Sequence, residues 1–200
     1  MVFFKKLEDK ALCDIICRES YAVRLNNFYK IIELIDNSTC TKDVLDDTQN
    51  SALKNNNKLN AANIIKKEGI YGRTFDKYIL LKYEFLSQDN SVLLSGYSNL
   101  SIEHVLPQNP NDNSRWINDF TPEEREMRTH NIANLILING RKNSTLSNFD
   151  FADKKTKLNG KIESIFKGSS EILYENEWKL EVLENRLKNI CNKLSELETK

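Results

Sequence analysis

Only two histidines occur in the 200 residues, His104 and His130, and each stands in a stretch rich in groups able to do chemistry. The first stretch, SIEHVLPQ from Ser101 to Gln108, sets Glu103 directly before His104 at the end of a β-like run. Pro107 stops that run, because proline has no N–H to give to a sheet ladder. The second, HNIANLILINGRKNSTLSN from His130 to Asn148, carries Asn134, an apolar run through Ile138, the turn signal Asn139-Gly140, and Asn143 in a polar segment of helical character. The order is strand, loop, strand, helix. Carboxylate and amide oxygens are hard ligands, suited to Mg²⁺ or Mn²⁺, which keeps several waters and takes one or two protein ligands beside substrate phosphates. A histidine next to the carboxylate points to the other face of the strand and can act as general base without being a ligand. A base for water and a divalent ion for the leaving oxygen together suffice for phosphodiester hydrolysis.

The Glu-His-x-x-Pro signature, the His-x-Ile-x-Asn-Leu run from His130 to Leu135 and the Asn that follows resemble the HNH (His-Me finger, ββα-metal) nucleases. More narrowly they resemble the C-terminal nuclease domain of GmrSD-type, modification-dependent restriction endonucleases. Trp116, Ser147-Asn148, Phe151-x-x-Lys154, Trp178, Arg186 and the helical DKYILLKYE before the core also match that narrower family. The resemblance implies a mainly α protein with a small ββα-metal (HNH) core, of α+β class. It implies His104 as general base, Glu103 and Asn143 as metal ligands, and Asn134 as a catalytic-site residue that braces the ββα loop. The implied activity is a DNA endonuclease using Mg²⁺ (or Mn²⁺) on double-stranded DNA and leaving a 5′-phosphate and a 3′-hydroxyl, in phage defence against modified DNA. In that family a nucleotide-hydrolysing ParB-like domain usually precedes the nuclease. No P-loop occurs here, so the ParB-like function is expected on a separate partner protein or in a larger gene of which this chain is a fragment. Ala133 stands where the family usually has Gly, putting a Cβ at a tight backbone approach. A non-cleaving DNA-binding or regulatory module of the same fold is the competing reading. It has no need of both Glu103 and His104.

Charge is balanced, with 29 basic and 29 acidic residues, so no global field draws the chain to DNA. A basic footprint must be local, and one follows the second strand: Arg141, Lys142, Lys154, Lys155, Lys157, Lys161 and Lys167. A cluster of that kind beside a metal site is what phosphate-backbone contact needs. Arg141, Lys142, Lys154 and Lys155 are therefore the expected DNA-binding residues, with Lys154 near the site. His130 reads either as a support or phosphate contact of the site or as a histidine that fixes the loop by hydrogen bonds. Cys13, Cys17, Cys40 and Cys191 form no C-x-x-C pair, so no zinc knuckle is expected and the thiols read as reduced packing residues of a cytoplasmic protein. No apolar run is long enough to span a membrane and the N-terminus lacks a signal-peptide core.

The remaining elements must position this site. Leu7, Ala11, Leu12, Ile15 and Ile16 predict a first helix, and Val23, Phe28, Ile31, Ile32 and Ile35 a second ending near Asn37. The Asn-rich segment 37–57 reads as loop or weak helix. Leu59 to Glu68 is helical again, closed by Gly69, and Phe75 to Leu86 is a strongly apolar helix. Trp116 in the polar loop after the first strand reads as plugging a core edge, with stacking on a base the alternative. Thr121-Pro122-Glu123-Glu124 is a capping-box helix start. A heptad-like seam of Leu183, Leu187, Ile190, Leu194 and Leu197 marks a C-terminal helix. The expected organisation is a helical scaffold over 1–97, the nuclease core over 98–170, and a C-terminal helix over 171–200 that packs back on the scaffold.

Overall fold

The computed structural model describes residues 2–45, 51–88, 100–139, 146–159 and 166–195. They form a mostly helical chain with one two-stranded antiparallel sheet, an α+β arrangement. The chain divides into two compact units, residues 1–64 and 65–200.

Among the described residues the first unit holds helices and no strand. Helix α1 (Val2–Ile16) and helix α2 (Tyr21–Asn37) are joined by a turn in which Arg18 takes a left-handed φ of 59°. Ser20 opens α2 by accepting a hydrogen bond from the Val23 N–H, as an N-cap residue does. Helix α3 (Thr41–Leu45) and a 3-10 turn (Ser51–Leu53) fall in the Asn-rich segment. Ile31, Leu34, Val44 and Ala52 make a small core with Phe3, Leu7 and Leu53 against it. The residues buried on α1 are Lys10, Asp14 and Ile16, not the full apolar stripe expected. Asp14 is buried because it is satisfied: Lys10 lies 3.5 Å away and the amides of Asn27 and Asn57 both donate to its carboxylate. On α2, Val23, Phe28, Ile32 and Ile35 of the expected apolar face are all exposed.

Helix α4 (Lys58–Lys67) runs into the second unit, where α5 (Asp76–Ser87) follows a short loop. Strand β1 (Leu100–His104) pairs antiparallel with β2 (Leu135–Asn139), setting Glu103 opposite Ile136 and His104 opposite Leu135. Between the strands lie α6 (Arg115–Asp119), inside what reads from sequence as loop, and α7 (Pro122–Arg128) with the expected capping box between Thr121 and Glu124. A 3-10 turn (Ile132–Asn134) then leads straight into β2. Helices α8 (Phe151–Leu158), α9 (Lys167–Ser170) and α10 (Leu180–Ser195) complete the described residues.

The core of this unit gathers Val105, Leu106, Trp116, Phe120, Ile136, Ile138, Leu146, Phe151, Leu158, Trp178 and Leu183. Trp116 is 1% exposed and donates its indole N–H to the Phe149 carbonyl, so it plugs the core and is not available to stack on a base. Helix α10 packs on α5 and on the 3-10 turn before β2. The seam position Leu197 lies outside the described residues. The stretch 65–88, read from sequence as part of the scaffold, falls in the same unit as the strands.

Candidate active site

The two strands alone would be too short to hold a site, since an isolated hairpin is marginal in water. The surrounding residues fix their ends. At the end of β1 the Val105 N–H donates to the Asn134 carbonyl, one rung beyond the paired residues. The next residue, Leu106, meets no strand; it meets the Asn134 side chain. Oδ1 of Asn134 accepts the Leu106 N–H at 2.7 Å, and Nδ2 donates to the Leu106 carbonyl at 2.8 Å. The amide side chain thus stands in for a strand peptide where Pro107 ends the ladder. Nδ2 also donates to the Thr129 carbonyl and Oδ1 also accepts the Trp178 indole N–H. All four hydrogen-bonding positions of the amide are used internally at 0% exposure. The Asn134 side chain thus ties the end of β1 to the turn before β2.

Arg186 completes the support of this turn. From α10 its guanidinium donates to the carbonyls of Ile132, Ala133 and Leu135, and to that of Gly168. Ala133 fits the turn without strain: it does not take a positive φ, and its methyl packs into the core.

Successive strand residues face opposite ways, and Glu103 and His104 do. Glu103 meets Lys154 of α8, with Nζ to Oε1 at 2.7 Å, and the same ammonium donates to the His104 carbonyl at 2.7 Å. Lys154 is 1% exposed. The expectation that it contacts DNA phosphate is corrected: its charge is spent inside, on a buried carboxylate and a backbone carbonyl. Burial pushes the Glu103 carboxyl above its usual range and the Lys154 ammonium below its own, and their mutual attraction opposes both shifts. Lys155 donates to the Glu175 carbonyl, and the Lys157 ammonium lies 4.3 Å over the Phe149 ring.

His104 faces the other way, into a cluster of rings. Its Nε2 lies 3.1 Å from Nδ1 of His130, and its Nδ1 lies 3.3 Å from Nε2 of the exposed Gln108. With the Gln108 amide N–H donating, Nδ1 of His104 is the acceptor, so Nε2 carries the hydrogen and donates to His130. The Tyr71 and His104 rings form a T-shaped pair with centroids 4.3 Å apart, and Tyr71 stacks on His130 at 5.5 Å. Burial first, then His130 and Lys154, push the His104 pKa down to about 4. The imidazole is neutral at pH 7, the form a general base requires.

The structure thus brings together Glu103, His104, His130, Asn134 and Lys154. Asn143, Arg141 and Lys142 lie outside the described residues. Among the described residues no group of three or more His, Cys, Asp and Glu is placed to hold a metal ion. Glu103 by itself fits a hard cation in kind, because a carboxylate has two oxygens and its pairing with Lys154 leaves acceptor capacity. Tyr71 and Gln108 were not singled out from sequence, and Gly69 was read only as closing a helix. Gln108 belongs to the signature stretch, but Tyr71 stands far from either histidine along the chain and has no motif to mark it.

A two-stranded sheet ending in a buried, neutral histidine, braced by an asparagine from the second strand's approach, is the setting in which the family comparison has meaning. The model of the GmrSD restriction endonucleases, C-terminal domain, matches residues 55–193. The chain belongs to that family, and is a member of a restriction-endonuclease group with a nuclease domain. Comparison with curated proteins and with solved structures gave no match.

Proposed function

We propose that this chain is an HNH-type, metal-dependent endonuclease that hydrolyses phosphodiester bonds in double-stranded DNA. The observation that carries the reading is His104: a buried imidazole, neutral at pH 7, with Nε2 held by His130 and Nδ1 turned toward exposed Gln108. The hydrogen-bond position on Nδ1 taken by the Gln108 amide is where a water would sit to lose its proton. His104 takes that proton at Nδ1 while the water oxygen attacks phosphorus in line with the 3′ oxygen; the P–O3′ bond breaks and the departing 3′ oxygen takes up a proton from solvent. The products are a 5′-phosphate and a 3′-hydroxyl. The Nε2–Nδ1 contact with His130 holds the ring in the orientation that turns Nδ1 toward that position. Glu103 and Asn143 would hold Mg²⁺ or Mn²⁺, which when bound supplies positive charge to the phosphate and the departing oxygen. In this reading β1 and β2 are the two strands of the ββα unit of the HNH nucleases. Arg141, Lys142, Lys155 and Lys157 track the phosphate backbone.

Membership of a restriction family supports a role in phage defence on modified DNA, in the cytoplasm, with a ParB-like nucleotide-hydrolysing protein or domain as the controlling partner. One observation favours the non-cleaving alternative: Glu103 is already paired with Lys154. Plasmid cleavage by the wild-type protein with Mg²⁺, Mn²⁺ or EDTA, with and without the partner, tests the proposal. A protein that binds DNA and never cuts supports the regulatory alternative.

A further inference from the structure

We propose that Tyr71 is a positioning residue for the candidate base: its ring, carried on a loop bonded to the His130 carbonyl, locks His104 and His130 into one mutual orientation and one tautomer. The proposal deepens the nuclease reading and rests on it for the catalytic consequence alone. Three rings meet here. Tyr71 forms a T-shaped pair with His104 at 69° and is nearly parallel to His130 at 12°, while the two imidazoles stand at 80° to one another. Packed that way, neither imidazole can flip about χ2 without displacing the tyrosine ring.

The loop that carries Tyr71 is itself tied to His130. The Ile70 N–H donates to the His130 carbonyl at 2.8 Å, and the Tyr71 N–H reaches the same oxygen at 3.4 Å. Ile70 is fully buried and anchors the loop from below. Gly72 takes a φ of 76°, a conformation that favours glycine, and its N–H donates to the Asp76 carboxylate at the start of α5. Gly69 lets the loop come close: a Cβ there would lie 2.7 Å from Cβ of His130. Tyr71 is 41% exposed, far more than core packing would leave it. Its ring is spent on the two histidines.

The chain contains only two histidines, so the imidazole ¹H–¹⁵N NMR spectrum reports this cluster alone and needs no activity. In the wild-type protein each ring should show a single fixed tautomer. Tyr71→Phe keeps the ring and should keep both the spectrum and kcat. Tyr71→Ala should shift both imidazole signals, average their tautomers, and lower kcat by roughly 10–100-fold with KM little changed, the scale of loss from a misplaced catalytic group. Gly69→Ala should disturb the His130 signals with the tyrosine ring still present. An unchanged imidazole spectrum in Tyr71→Ala overturns the proposal. So does a rise in KM alone, which would make Tyr71 a DNA contact. A wild-type protein that never cuts would sink the nuclease reading, while the imidazole spectra would still decide the positioning role.

Discussion

The Lys154 ammonium lies 2.7 Å from Oε1 of Glu103, with both side chains nearly closed to solvent. That pair joins α8 to the end of β1, one residue before the candidate base. Breaking a buried pair from one side leaves an uncompensated charge and commonly costs about 3–5 kcal/mol. Lys154→Ala should therefore lower the unfolding midpoint sharply in urea. The loss should be one of folding and not of DNA affinity. A Lys154→Ala protein of wild-type stability that has lost only DNA binding would contradict the buried placement.

Asn134 predicts a second stability effect. Asn134→Ala strands the Leu106 N–H and carbonyl, the Thr129 carbonyl and the Trp178 indole N–H in the interior. Each unsatisfied buried group costs about 1–3 kcal/mol, and the terms do not simply add. Chemical denaturation should show a loss of at least about 2 kcal/mol. Asn134→Asp keeps the acceptor and removes both donations, so it should fall between. Wild-type stability in Asn134→Ala would mean that the turn does not depend on the brace.

The acid limb of activity should lie low. The His104 pKa of about 4 is below the unperturbed value of about 6.5. As pH falls the base stays neutral past the usual imidazole range, and kcat/KM drops only as pH passes through about 4. The sign for stability follows from the same shift. The unfolded chain takes up its proton near pH 6.5 and the folded chain near 4. This histidine therefore favours unfolding increasingly as pH falls through that window, and its effect is absent above it. Thermal melts across the window, wild type against His104→Asn, isolate the effect. An acid limb centred near 6.5 in the wild type would show that His104 is solvated.

The helices were legible from sequence where apolar periodicity met clear boundary residues. The Thr121 capping box shows the boundary signal and the Asp76–Ser87 helix the apolar one. The strand pair was legible because Pro107 and the run after Asn134 bound it on both sides. Lys154 misled for a physical reason: a lysine in a basic run reads as surface, and charge count says nothing of side-chain direction. Its spacing held the contrary signal, three residues after Phe151 and four before Leu158, on the buried face of α8. On α1 the buried positions Lys10 and Asp14 are hidden for the same reason, since polar residues are buried only when a partner distant in sequence satisfies them. Tyr71 was invisible because ring-on-ring packing across the loop before α5 leaves no periodic trace.

The most direct test is supercoiled-plasmid cleavage by His104→Ala and wild type, side by side, in Mg²⁺ and in EDTA, with equal folding checked by circular dichroism. A general base commonly contributes about 10²–10⁴-fold. Wild type in Mg²⁺ should nick and linearise the plasmid with 5′-phosphate ends. The His104→Ala protein should bind it and cut at least about 100-fold more slowly, and EDTA should stop both. Cleavage by His104→Ala at the wild-type rate, or wild-type cleavage undiminished in EDTA, would contradict the account.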